Sequence, residues 1–172
     1  MAKNKNKNIV PLKHIDELEN ECQWEDFEFK EYFEAIAILE PNLALERLEI
    51  RYLNETKCKD EGFVYVFVIE NKIFKIGQSI TNLKKRIQSY NCGKIEYRIN
   101  GTNSTTNYFV LQSLLKINKE IIVYAFFPPK PSYEIFGKHF KDSYPPSKRA
   151  ENIILKAFIK KEGKKPIGCT QS

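Results

Sequence analysis

Five side chains in this 172-residue chain have types and an order that suit one kind of chemistry. Tyr65, Lys75, Arg86 and Tyr90 lie within one short stretch, and Glu151 follows well downstream. A phenol becomes a usable base when an adjacent ammonium favours its ionised form. A guanidinium presents a fork of donors to a phosphate, and a carboxylate can hold a hard divalent cation. Such a set suits hydrolysis of a phosphodiester, which needs an activated water, a neutralised phosphoryl group and a stabilised leaving oxygen. Each residue also has an ordinary reading. Tyr90 could be core, Arg86 solvated, Lys75 an edge-strand lysine, and Glu151 a first-turn carboxylate favoured by the helix dipole. Their occurrence together, in this order, favours the chemical reading.

The elements that must position them can be read around each residue. Phe63 to Ile69 is β-branched and aromatic on both alternating faces, which predicts a central strand covered on each side. Glu70-Asn71-Lys72 supplies a turn, and Ile73 to Gly77 a return strand. A two-residue turn would put Tyr65 and Lys75 on opposite faces. A three-residue loop, the expectation here, pairs Ile69 with Ile73, Phe67 with Lys75 and Tyr65 with Gly77. Tyr65 and Lys75 are then diagonal neighbours, roughly 7–8 Å apart at the backbone. A helix through about Tyr90 follows, with Ser79 or Thr81 as N-cap and Leu83, Ile87 and Tyr90 as its apolar stripe. Arg86 and Tyr90, four residues apart, are neighbours on it. The proline-rich Tyr144-Pro145-Pro146-Ser147 ends a loop, with Ser147 as the expected N-cap of a helix to about Lys161. Glu151 shares that helix's apolar face with Ile154, Leu155 and Phe158, where a carboxylate is costly unless paired or metal-bound.

These residues give the chain a resemblance to the GIY-YIG nuclease superfamily. Its first motif corresponds to Phe63-Val64-Tyr65, with Phe63 in place of the motif glycine. Its second corresponds to Lys75-Ile76-Gly77, with lysine in place of tyrosine. The family's helix arginine falls on Arg86, the histidine or tyrosine one turn later on Tyr90, and the metal-binding glutamate on Glu151. The lysine exchange makes the sequence most similar to the small type II restriction endonucleases of that superfamily. The resemblance covers about Gly62 to Glu162. It implies Tyr65 as general base assisted by Lys75, Arg86 on the scissile phosphate, Tyr90 positioning water or a phosphate oxygen, and one Mg²⁺ per site held by Glu151. The products it implies carry 5′-phosphate and 3′-hydroxyl ends.

Composition points the same way. The net charge of +6 is unevenly spread: the first sixty residues hold 9 basic and 14 acidic side chains, leaving 19 basic and 8 acidic for the rest. The basic excess therefore lies with the motifs, where a polyanion would bind. No apolar run reaches the roughly 20 residues a membrane-spanning helix needs, and the Lys/Asn-rich start lacks a signal-peptide core. Cys22, Cys58, Cys92 and Cys169 are scattered without CxxC spacing, which argues for reduced thiols in a bacterial cytoplasm rather than zinc.

The expected fold is α/β, a small central sheet sandwiched by helices. Residues 1–60 are read as a tail and a mostly helical extension, from Leu12, Ile15 and Leu18 through Phe33, Ile36 and Ala37 to a helix over Leu43 to Leu53. Residues 61–162 form the catalytic domain and 163–172 a C-terminal tail. Within the domain, a strand is expected near Ile95–Ile99, a helix near Tyr108–Ile117 and a strand over Ile121–Phe127. Cutting both strands of double-stranded DNA at a short symmetric site calls for a homodimer. Arg98, Asn103, Lys138, His139 and Lys141 are candidate DNA contacts in the flanking loops. Two alternatives stay open: another nuclease role, in repair or mobile-element cutting, and a non-catalytic DNA-binding module of the same fold.

Overall fold

The computed structural model describes the backbone of residues 15–101, 104–142 and 145–169. Its centre is a five-stranded antiparallel sheet of β1 (Glu34–Asn42), β2 (Arg47–Tyr52), β3 (Phe63–Ile69), β4 (Lys72–Ser79) and β5 (Ile121–Phe126), in the order β2-β1-β5-β3-β4. All seven residues of β3 are buried, as its two apolar faces predict. One face, carrying Phe63, Tyr65 and Phe67, packs on α2 (Leu83–Asn91) and α4 (Thr105–Ile117) through Leu83, Ile87, Tyr90, Val110, Leu111 and Leu114. The other, carrying Val64, Val66 and Ile76, packs on Ile154 and Phe158 of α5 (Ser147–Glu162) and on Trp24 and Phe27. The sandwich of helices on both faces is the one expected.

The hairpin reaches its expected register by a different route. Phe67 pairs with Lys75 and Tyr65 with Gly77, as the three-residue loop required. Yet the turn has two residues: Ile69 pairs with Lys72, and Glu70 and Asn71 both adopt positive φ, +47° and +64°. Left-handed residues at both positions give the tight turn whose twist matches the strands. A bulge between Phe67 and Val68 then restores the register, since Val68 faces Ile73 while Phe67 faces Lys75. The one-residue slip that would have separated Tyr65 from Lys75 is cancelled by the extra residue, Phe74.

The first sixty residues need correction. Glu34–Asn42 and Arg47–Tyr52 are strands, joined by a short loop and paired from Ala37↔Tyr52 to Asn42↔Arg47. They lie in the same sheet as β3, because β1 pairs with β5 and β5 with β3. The expected helical extension therefore does not stand apart from the central sheet. Leu48, Ile50 and Tyr52 recur with period two, which suits a strand whose neighbour supplies the ladder. Pro41 is tolerated because β1 pairs with β5 only as far as Leu39, so one side of Pro41 has no ladder to break. Short 3₁₀ turns, Ile15–Asn20, Trp24–Asp26 and Lys30–Tyr32, precede β1, and α1 (Glu55–Lys59) follows β2. Leu12, and the tail lysines before it, lie outside the described residues.

Two further departures concern the linkers. Ile95–Ile99, expected as a strand, is the short helix α3. Its alternating Ile95 and Tyr97 stay exposed, so the pattern has no sheet face to bury. The long loop before α5 contains a small exposed hairpin of β6 (Ser132–Ile135) and β7 (Lys138–Lys141). The expected C-terminal tail is ordered near its end: a 3₁₀ turn, Ile167–Cys169, returns to the sheet and buries Ile167 in the core beside α2 and α4.

Candidate active site at the sheet edge

Tyr65 and Tyr90 are both fully buried, and their hydroxyls are hydrogen-bonded to each other. Tyr65 is fixed by the hairpin register and Tyr90 by its place on the buried stripe of α2. That helix is capped by Asn82, whose side chain accepts from the Lys85 N–H, rather than by Ser79 or Thr81. Arg86, one turn before Tyr90, donates from Nε to the Tyr65 hydroxyl (3.0 Å) and from a terminal nitrogen to the Tyr90 hydroxyl (2.7 Å). Its guanidinium also stands 4.4 Å from the centre of the Tyr90 ring. The Tyr65 ring lies so close over Gly77 that a Cβ there would overlap its hydroxyl. Glycine at this position is therefore a requirement of close approach.

Lys75 projects from β4 and is only 6% exposed. Its ammonium donates to the Gly168 carbonyl (2.8 Å) and sits 3.8 Å from the Cys169 sulfur. Glu151 arrives from the opposite face of the sheet. On α5 it is 8% exposed, and its carboxylate is paired with Lys148 at 2.5 Å. Because β4 is an edge strand, side chains from the two faces can meet around it. Tyr65, Lys75, Arg86 and Glu151 line a single cleft of about 370 Å³ beside Gly77. Ser147 helps to fasten α5 there, although the N-cap position falls to Pro146; its hydroxyl donates to the Gln78 side chain at 3.0 Å.

Burial dominates the electrostatics. It drives the Tyr65 phenol well above the ordinary value of 10, and the neighbouring Tyr90 adds to the shift. Arg86 and Lys75 act in the opposite sense but do not outweigh burial. The net direction is towards the neutral phenol, opposite to the ionised form expected beside Lys75. Tyr90 is also raised by burial, with Arg86 opposing.

In a structural comparison, the chain is 62% identical to a restriction endonuclease, HPY188I, solved in complex with product DNA. The likeness covers 100% of this chain and 98% of that one, with a TM-score of 0.71. The chain belongs to the restriction endonuclease family. Bacteriophage T4 EndoII, solved as a mutant, shares the fold at 19% identity, with a TM-score of 0.55 over 76% of this chain and 91% of that one. No family model and no curated sequence relative matches the chain.

The family member's cleft gathers more than the sequence indicated. Gln78, Thr106, Lys148, Lys165, Gly168 and Cys169 also line it. Lys148 could have been found from its place three residues before Glu151 on the same helix, a spacing at which opposite charges meet. Gly168 and Cys169 carried only a faint signal, the Pro166-Ile167-Gly168 interruption in a lysine-rich tail. The candidate DNA contacts among the described residues lie outside the cleft lining. Arg98 is on α3 with its guanidinium 6.0 Å from the Tyr108 ring centre, Lys138, His139 and Lys141 are exposed on β7, and Asn103 is outside the described residues. Among the described residues no helix is long and apolar enough to cross a membrane.

Proposed function

We propose that the chain is a divalent-metal-dependent, site-specific endonuclease of double-stranded DNA, of the restriction type and of GIY-YIG character. The observation that carries this reading is the meeting of Tyr65, Lys75, Arg86 and Glu151 in one cleft, from both faces of the sheet. The family relation to an enzyme held with product DNA supports the substrate.

The donor set fits a hard cation such as Mg²⁺. Among the described residues no group of three metal-binding side chains exists, and Glu151 is the carboxylate in the cleft. One carboxylate, completed by water and phosphate oxygens, is a common way of holding Mg²⁺. When bound there, the ion would supply positive charge at the leaving 3′-oxygen. Glu151 would have to exchange Lys148 for it, and Lys148, on an exposed stem, is free to move to a phosphate.

Arg86 would place its guanidinium on the scissile phosphate, where its charge grows in importance as negative charge develops on the equatorial oxygens. Tyr65, ionised by loss of its proton to solvent in the cleft, would accept one from the attacking water as the water oxygen bonds to phosphorus and the bond to the 3′-oxygen breaks. Arg86 and Lys75 both favour that ionised form. Tyr90, hydrogen-bonded to Tyr65 and Arg86, would hold the phenolate oxygen in line. No covalent enzyme intermediate is needed, and the products would be 5′-phosphate and 3′-hydroxyl ends.

Two such sites related by a two-fold axis would cut both strands of a symmetric sequence, so the active species is taken to be a homodimer on DNA. The basic β6–β7 hairpin and the α3 region would contribute contacts to the duplex. Incubation with supercoiled plasmid and Mg²⁺ tests the reading. Discrete double-strand fragments, lost with Glu151→Ala, are expected; random nicks would point to a processing nuclease. Binding without cleavage at any metal concentration would refute the catalytic reading.

A further inference from the structure

Lys75 lies on the outermost strand, so no neighbouring strand flanks it on the open side of the sheet. What closes over it is the Ile167–Cys169 turn. The turn is fastened on both sides of the lysine. Gly168 sits so near β4 that a Cβ would meet Phe74 Cε1 at 2.8 Å and Lys75 Cβ at 2.9 Å. The Cys169 thiol donates to the Ile76 carbonyl at 3.0 Å, and Ile167 is buried in the core. Between these anchors the Gly168 carbonyl accepts from the Lys75 ammonium at 2.8 Å. An ammonium on a flexible four-carbon stem has no fixed place of its own, and one removed from water needs an acceptor. The carbonyl supplies both requirements.

We propose that the Ile167–Cys169 turn is a positioning element of the cleft: the Gly168 carbonyl fixes the Lys75 ammonium beside Tyr65, and Gly168 affects the cleavage rate through Lys75. The inference rests on the nuclease reading above and extends it to a segment that the motifs do not reach. Gly168 is a positioning residue, since it acts through Lys75.

A double-mutant cycle tests it in the full chain. Single-turnover cleavage of plasmid DNA is measured for the wild-type protein, Gly168→Ala, Lys75→Met and the double variant. DNA binding is followed by anisotropy in Ca²⁺, and folding by thermal melting. Gly168→Ala forces the turn off the strand and is expected to slow cleavage about 100-fold, the order of loss that follows a misplacement of about 1 Å. DNA binding should be unchanged. In the Lys75→Met background the same substitution should cost nothing further.

A pH profile gives an independent readout. Lys75 from β4 and Arg86 and Tyr90 from α2 face Tyr65, while Cys169 of the turn faces Tyr90. Displacing Lys75 removes one of the two cations favouring ionised Tyr65. The pH at which the rate levels off, followed into the alkaline range, should therefore move up in Gly168→Ala and stay put when the substitution is added to Lys75→Met, whereas a merely structural loss would lower the rate equally at every pH. If Gly168→Ala does not fold, Cys169→Ala, which removes the thiol anchor on the Ile76 carbonyl, takes its place in the same cycle. Equal fold-losses in both backgrounds, or a wild-type rate for Gly168→Ala, would overturn the inference while leaving the nuclease reading intact. A wild-type protein that does not cleave overturns both.

Discussion

The two walls of the cleft are built differently. On the α2 side, Tyr65, Tyr90 and Arg86 form a closed hydrogen-bonded cluster, with both tyrosines buried and Tyr65 and Arg86 lining the cleft. On the α5 side, Glu151 meets an exposed lysine at the rim, and Lys165 stands nearby. The difference follows from what each wall would handle. Groups that accept a proton or grip a transition state gain from fixed geometry, because no reorganisation is then needed during the reaction. A site for a hydrated cation must instead stay open enough to admit it and to exchange its counter-charge. On the proposed reading, the α2 wall would contribute to both stability and catalysis, and the α5 wall chiefly to metal capture.

The largest effect on that contrast should come from Tyr65→Phe. Loss of the proposed general base is expected to lower the single-turnover rate by up to about 10⁴-fold, with DNA binding preserved. Loss of only a few-fold would assign the base elsewhere. Next, Arg86→Ala and Glu151→Ala should each cost about 10² to 10³-fold in rate. They should separate in thermal melting. Arg86→Ala strips a charged donor from two buried hydroxyls and should destabilise the fold by about 1–3 kcal/mol. Glu151→Ala removes a carboxylate paired at the rim and should leave the melting temperature nearly unchanged. Equal destabilisation by the two would break the contrast.

The pH dependence is smaller per step but distinctive. Burial raises the Tyr65 phenol well above 10, and the proposed reaction uses its ionised form. The rate should then climb about tenfold per pH unit across the neutral and mildly alkaline range, with no plateau near neutrality. A plateau below pH 8 would mean that bound DNA and metal bring the phenol down far more than Arg86 and Lys75 do. The smallest effect belongs to Lys148→Met. Removing the ammonium that competes for Glu151 should tighten Mn²⁺ binding a few-fold in calorimetry without DNA. Unchanged affinity would show that the ion pair does not guard the site.

The motif stretch was legible because local rules fix it. A strand apolar on both faces, a tight turn and an amphipathic helix together set where Tyr65, Lys75, Arg86 and Tyr90 point. Even the mistaken loop length did not matter, since the bulge at Phe74 compensated for the turn. What could not be read depended on partners far along the chain. Residues 34–52 carry a pattern that suits a helix or a strand until β5 offers β1 a ladder. The Ile95–Ile99 alternation had no sheet edge to join. Gly168 reads as part of a polar tail because its contact is with Lys75, ninety-three residues earlier in the chain. The burial of Tyr65, which sets its proton affinity, is likewise a property of the whole sandwich and of no local segment.

The most direct measurement is a crystal structure of the wild-type protein with Mn²⁺, located by its anomalous signal, and DNA whose scissile linkage carries a non-hydrolysable substitution of the bridging 3′-oxygen. The expected result is one strong metal peak on the carboxylate at position 151. It should share a phosphate oxygen with the Arg86 guanidinium, with the Tyr65 hydroxyl directed at the opposite side of the same phosphorus. A scissile phosphate bound on another surface, or a metal peak away from residue 151, would contradict the convergence of the two walls on one phosphodiester.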